Sequence, residues 1–175
     1  IVGPQIRAGD AYAALAHLRG LSFVDAGRIA VMGGSHGGSA TLSTILAEGN
    51  ERQGGFAAAV ALYPGCAGPF GEWSAIRDRV AGSPITGYRG TFKPAAPLLI
   101  LIGELDDWTP AEPCRQLAAR ATAAGYPVEI VVYPGAHHSF DSSAPLIFNA
   151  ERRNANVAGG RGATTAGNPR AWADA

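Results

Sequence analysis

Residues 28–38 read RIAVMGGSHGG, and the fold follows from how that stretch divides. Ile29, Ala30, Val31 and Met32 form a short unbroken apolar run, the pattern of a parallel strand covered on both faces, so a buried central strand is expected. Directly behind it Gly33, Gly34, Ser35, His36 and Gly37 spell GxSxG, and residues 40–48 return at helical spacing before Gly49 and Asn50. Small residues flank the serine because a sharp strand-to-helix turn crowds the backbone, and the same turn lifts the serine side chain into solvent. With 24 glycines in 175 residues, composition alone produces the five-residue pattern in about one chain in six. The flanking strand and helix are what give it weight. The bland alternative is a glycine-rich turn with a capping serine.

Working outward, residues 8–21 carry Ala11, Leu15 and Leu18 at three- and four-residue steps and stop at Gly20, the pattern of an amphipathic helix. FAAAVALYP (56–64), PLLILIG (97–103) and PVEIVVYPG (127–135) are three further buried strands, with a helix over 111–124. This alternation predicts an α/β fold, a mostly parallel sheet flanked by helices, in one domain over residues 1–175. Residues 66–97 lack a sustained period and are expected to be an excursion with one short helix at 72–79. Residues 141–167 are polar and glycine-rich, after which Asn168 is placed to cap a helix that begins at Pro169.

Composition removes several function classes. Fourteen basic and fourteen acidic side chains give a net charge of +0, so there is no electrostatic footprint for nucleic acid or an anionic membrane. The longest apolar runs fall short of the ~18 residues that a spanning helix needs. The chain opens IVGPQIRAGD with no charged, then apolar, then small-residue leader, and without Met, which predicts processing or truncation. The serine loop is not a phosphate cradle: Gly38 is followed by Ser39, the sole lysine is Lys93, and GxGxxG is absent. Cys66 and Cys114 are too few for a disulfide scaffold and lack the CxxC spacing of a zinc site. No metal or cofactor is expected.

A serine hydroxyl is a poor nucleophile until a base takes its proton. Asp106 and Asp107 follow the strand at 97–103, and His137 and His138 follow the strand at 127–135. Strand C-terminal ends of a parallel sheet share one edge, so these groups and Ser35 should converge there. The order Ser, Asp, His matches the α/β-hydrolase arrangement. The His36 amide, at a helix N-terminus, suits a developing oxyanion. Each group has a plainer use: an aspartate after a strand often caps the next helix, and a loop histidine is usually solvated.

RIAVMGGSHGG, PLLILIGELDDWTPAEPC and YPGAHHSF resemble the dienelactone hydrolase family of the α/β-hydrolase superfamily, over most of the chain. The family's carboxylate follows a glycine by three residues and precedes proline by four, which fits Gly103, Asp106 and Pro110. Its histidine stands two before phenylalanine, which selects His138. The resemblance implies a hydrolase of small carboxylic esters or lactones, with Ser35 as nucleophile, His138 as base and Asp106 as its orienting acid. His137 is then a rim residue and His17 a surface residue, while Trp108 and Phe140 are candidates to line the substrate site.

Position 35 departs from the cysteine of the family's namesakes, so a general esterase is expected rather than an enzyme for dienelactone itself. The family also places several strands before the elbow, with a loop offering a second oxyanion amide. Those strands have no counterpart upstream of the elbow here, and the four strands counted extend from residues 29–32 in one direction only. A protein longer at both ends is therefore expected, and the loss of one oxyanion donor costs ~10² to 10³ in rate. The alternative function is a catalytically impaired fragment or a non-enzymatic binding protein on the same fold. Cys66 and Cys114 fall at the same sheet edge, where they either bridge, implying a periplasmic or secreted protein, or remain free thiols in the cytoplasm. Oligomeric state is not assigned.

Overall fold

The structure is a computed structural model describing residues 3–47, 55–78, 80 and 82–175. Four strands make the main sheet: β1 (Ala30–Gly34), β2 (Ala58–Leu62), β5 (Leu98–Gly103) and β6 (Val128–Tyr133). They lie in the order β1-β2-β5-β6, all parallel, with Ala30 opposite Ala58, Leu62 opposite Leu101 and Leu98 opposite Val128. Every C-terminal strand end therefore opens on one edge. Helices α1 (Pro4–Arg19), α2 (His36–Thr44) and α3 (Ala111–Ala123) accompany them. The expected α/β architecture is what the chain adopts.

The strand buried on both faces is β5, not β1. Ile100 and Ile102 are fully buried, whereas β1 alternates exposed and half-buried positions and Met32 is 72% exposed. The physical reason is position: among the described residues β1 hydrogen-bonds β2 alone. An apolar run specifies a strand but not what stands on either side of it. The main core joins Leu42, Ile45, Leu98, Ile100, Leu117 and Phe140, and a smaller cluster joins Tyr12 and Leu15 of α1 to Ile29 and Phe56. Tyr12 Oη donates to the Thr44 carbonyl, tying α1 to the end of α2.

The helix expected at 72–79 is absent among the described residues of that segment. Instead β3 (Ser74–Ile76) pairs antiparallel with β4 (Gly87–Arg89). Trp73, fully buried, stacks on Tyr88 at 5.3 Å and donates from Nε1 to the Cys66 carbonyl, so a tertiary contact overrides the local preference. The polar stretch after residue 141 likewise holds structure: β7 (Ile147–Arg153) and β8 (Arg161–Thr165) form a hairpin. Asn168 Oδ1 accepts the Ala171 N–H at 3.1 Å and caps α4 (Pro169–Asp174) as its sequence predicts. The helix stop expected at Gly49 and Asn50 lies outside the described residues. Cys66 and Cys114 are bonded, joining the turn after β2 to the first turn of α3.

Candidate active site

Ser35 sits between β1 and α2 with φ 55° and ψ −117°, a conformation that costs a non-glycine residue ~1–3 kcal/mol and persists only where its surroundings impose it. Here the imposition is close packing. A Cβ on Gly33 would stand 2.4 Å from the Gly37 carbonyl oxygen, and one on Gly38 would stand 2.8 Å from that of Leu62. By contrast a Cβ on Gly37 would meet nothing within 4 Å, so beyond Gly33 the crowded glycines are Gly34, whose Cβ would stand 2.8 Å from the Tyr63 hydroxyl, and Gly38, one position after the motif. The Ser35 N–H donates to the Leu62 carbonyl at 3.0 Å. The His36 N–H opens α2, one of the first-turn donors that no intrahelical carbonyl can take.

The loop after β5 carries Asp106 and the loop after β6 carries His138, and both arrive at Ser35. His138 Nε2 is 2.9 Å from Ser35 Oγ and its Nδ1 is 2.8 Å from Asp106 Oδ2. The His138 and Asp106 side chains are almost wholly buried, at 1% and 0% exposure. A carboxylate only accepts, so Nδ1 carries the proton, and Nε2 presents its lone pair to the serine hydroxyl. Asp106 Oδ1 accepts the N–H groups of Trp108 at 3.0 Å and Thr109 at 2.7 Å. One carboxylate thus serves both readings of its sequence position, folding its own turn through one oxygen and orienting the imidazole through the other.

Two neighbours of this group carry no motif. Thr109 Oγ1 lies within hydrogen-bond reach of Asp106 Oδ2, His138 Nδ1 and the Tyr63 carbonyl. Tyr63, at φ 37°, packs the edge of its ring on His138 at 4.6 Å and donates its hydroxyl to Asp141 Oδ1 at 2.8 Å. Burial first, and then the Asp141 carboxylate, push the Tyr63 phenol well above the usual tyrosine range, so it remains a donor.

Ser35, His36, Trp108, Asn149, Arg152 and Arg153 line an open cleft of about 790 Å³. Its far wall is the β7–β8 hairpin, and the hairpin is latched to the acid loop. Asp107 accepts the Thr164 N–H at 2.8 Å and hydroxyl at 2.7 Å; Asn154 Nδ2 donates to the Asp107 carbonyl at 2.9 Å; Asn156 Nδ2 donates to the Trp108 carbonyl at 2.8 Å. Arg152 lies 4.5 Å over the Trp108 ring, which itself packs against His138 at 4.7 Å. Asp107, the rival carboxylate of the sequence, holds the hairpin rather than His138.

Trp108 lines the cleft, whereas Phe140 does not. It is fully buried between the rings of Tyr63 and Tyr133, because the chain turns inward after Ser139 at φ 61°. His137 is half-buried beside the site and His17 is exposed on α1. A second cavity of about 560 Å³, between β6 and α4, is lined by the polar side chains of Tyr133, Asn168, Arg170 and Asp174 among otherwise apolar residues. Among the described residues no cluster of His, Cys, Asp or Glu could hold a metal ion.

The model of the dienelactone hydrolase family matches residues 5–161. The chain belongs to the dienelactone hydrolase family. A solved structure described as "Putative Dienelactone Hydrolase" from Klebsiella pneumoniae subsp. pneumoniae is 26% identical, with TM-score 0.52 over 77% of this chain and 51% of its own. Two others share the fold: Thermogutta terrifontis esterase 2, at 22% identity and TM-score 0.56 over 79% of this chain and 57% of its own, and Porphyromonas gingivalis dipeptidyl peptidase 4, at 24% and 0.56 over 76% and 20%. The chain thus spans about half the length of the first of these. No curated protein matches.

Proposed function

We propose that this member of the dienelactone hydrolase family is a serine-dependent hydrolase of carboxylic esters or lactones. The observation that carries the reading is the unbroken hydrogen-bond chain from Ser35 Oγ through His138 to Asp106 Oδ2. In this reading Ser35 Oγ attacks the carbonyl carbon while His138 Nε2 takes its proton, general-base assistance contributing ~10² to 10⁴ in rate. Asp106 stays ionised and holds the imidazole in the tautomer that can accept. The oxyanion forms against the His36 N–H, where the start of α2 favours negative charge. His138 returns its proton to the departing alkoxide, and a water activated by the same nitrogen frees the acyl group.

The substrate enters between the elbow and the hairpin, with Trp108 as an apolar wall. The Cys66–Cys114 bond fits synthesis into an oxidising compartment. A fluorophosphonate probe tests the proposal. One equivalent should add to the protein, its mass on Ser35; the adduct should be lost in Ser35→Ala, and the rate should fall at acid pH as His138 gains a second proton. An unlabelled wild-type protein, or one labelled equally after Ser35→Ala, would overturn it.

A further inference from the structure

Thr109 touches both members of the buried pair at once: its Oγ1 is 2.9 Å from Asp106 Oδ2, 3.1 Å from His138 Nδ1 and 3.0 Å from the Tyr63 carbonyl oxygen. The hydroxyl has one proton to place. His138 Nδ1 already bears a proton in the tautomer that faces Ser35, and of the two remaining acceptors a carboxylate draws a donor more strongly than a neutral carbonyl. Asp106 therefore receives the Trp108 and Thr109 amides on Oδ1, and the Thr109 hydroxyl and His138 Nδ1–H on Oδ2. That fills the roughly four lone-pair directions a carboxylate offers.

We propose that Thr109 is a positioning residue for the base: by sharing the Asp106 carboxylate, its hydroxyl limits how strongly Asp106 stabilises a protonated His138, and so keeps the imidazole able to accept the Ser35 proton at lower pH. Its catalytic consequence rests on the hydrolase reading; its geometry does not. The other groups facing His138 are Ser35 of the elbow, followed by His36; Tyr63 after β2, with Asp141 on its hydroxyl; and Trp108, with Arg152 over its ring. Of these, Thr109 touches only the uncharged backbone carbonyl of Tyr63 with its hydroxyl, so a changed titration belongs to the hydroxyl's hold on Asp106.

The test follows the His138 imidazole ¹⁵N resonances against pH in wild type, Thr109→Val and Thr109→Ser. The midpoint should rise by about half a unit to one unit in Thr109→Val, as expected when a carboxylate loses one of its donors to the benefit of another, and Thr109→Ser should restore it. The acid limb of Ser35 labelling should move by the same amount. If the valine variant does not fold, Thr109→Ala reads the same shift. A midpoint that is unchanged or lower, even in a variant that melts earlier, would leave Thr109 a structural residue only and end the proposal. A wild-type protein that takes no label sinks the hydrolase reading instead, and the resonance titration still decides the role of Thr109.

Discussion

On one side of the cleft Ser35 stands on an elbow whose strand hydrogen-bonds a single neighbour among the described residues and leaves Met32 in solvent. On the other, Asp106 and His138 are buried, the Asp106 loop is held to the hairpin through Asp107, and the Cys66–Cys114 bond ties the turn after β2 to α3. Ser35 is positioned by steric exclusion around Gly33 and Gly38, and His138 and Asp106 by hydrogen bonds that fill the carboxylate's acceptors. The two means fail differently. Exclusion is lost when an atom is added, whereas a filled hydrogen-bond group is lost when one atom is removed or changed.

Asp106→Asn should show the largest effect, because it changes one atom of the filled group and almost none of its volume. The amide that faces His138 would donate, leaving Nδ1 to accept and moving the imidazole proton to Nε2, where it blocks the Ser35 hydroxyl. Labelling of Ser35 should slow by ~10³ to 10⁴ while the melting temperature changes little. A small rate loss would mean that the acid side orients nothing, and the contrast between the two sides would collapse. Removing the disulfide with Cys66→Ala and Cys114→Ala comes next. The bond closes a loop of 48 residues, which in the loop-entropy account stabilises the fold by about 4 kcal/mol and corresponds to roughly 8–16 °C in Tm for a chain of this size. Thermal melts with and without reductant read it, and the variant should not respond to reductant.

Legibility in the sequence follows the same physics. Although β1 and β6 keep exposed positions, the strands of the main sheet announce themselves by apolar runs and α1, α2 and α3 by helical spacing. The β7–β8 hairpin did not, since all seven residues of β7 are exposed and impose no alternation; its hold comes from Asn154 and Thr164 reaching Asp107. β3 and β4 were hidden because a Trp73–Tyr88 stack between distant residues makes them. Within the site, Ser35, Asp106 and His138 each follow a strand of the main sheet, and that placement is visible without coordinates. Thr109 and Tyr63 enter through a hydroxyl, a backbone carbonyl and a ring edge, none of which leaves a pattern. Phe140 shows the opposite error, where nearness in sequence to His138 suggested the cleft and the chain's turn after Ser139 buried the ring.

Asn154→Ala sharpens the comparison at the hairpin. Asn154 is 2% exposed, donates to the Asp107 and Gly162 carbonyls, and accepts the Asn156 N–H at 2.9 Å. Its loss should cost about 2 kcal/mol, from buried partners left without a hydrogen bond. Because the latch joins the hairpin to the acid loop, the loss should appear as faster amide exchange across residues 147–165 with β1 and α2 unchanged. Uniform acceleration over the whole molecule would show that the hairpin is part of the core rather than a wall fixed to one side.

The smallest effect belongs to Tyr63→Phe, and it separates the two sides by pH. Burial raises the phenols of Tyr12, Tyr63, Tyr88 and Tyr133 above their ordinary value, with Asp141 adding to it at Tyr63. The unfolded chain loses these protons near pH 10 while the folded chain keeps them, so stability is fully present below pH ~10 and falls as pH rises through and beyond it. Removing the Tyr63 hydroxyl removes one such contribution. Near neutrality the variant should lose about 1 kcal/mol with its hydrogen bond to Asp141, yet above pH ~10 its urea midpoint should decline less steeply than that of wild type. Parallel declines would mean that the Tyr63 proton is not held by the fold, and that the ring beside His138 is a packing surface with no part in the hydrogen-bonded half of the site.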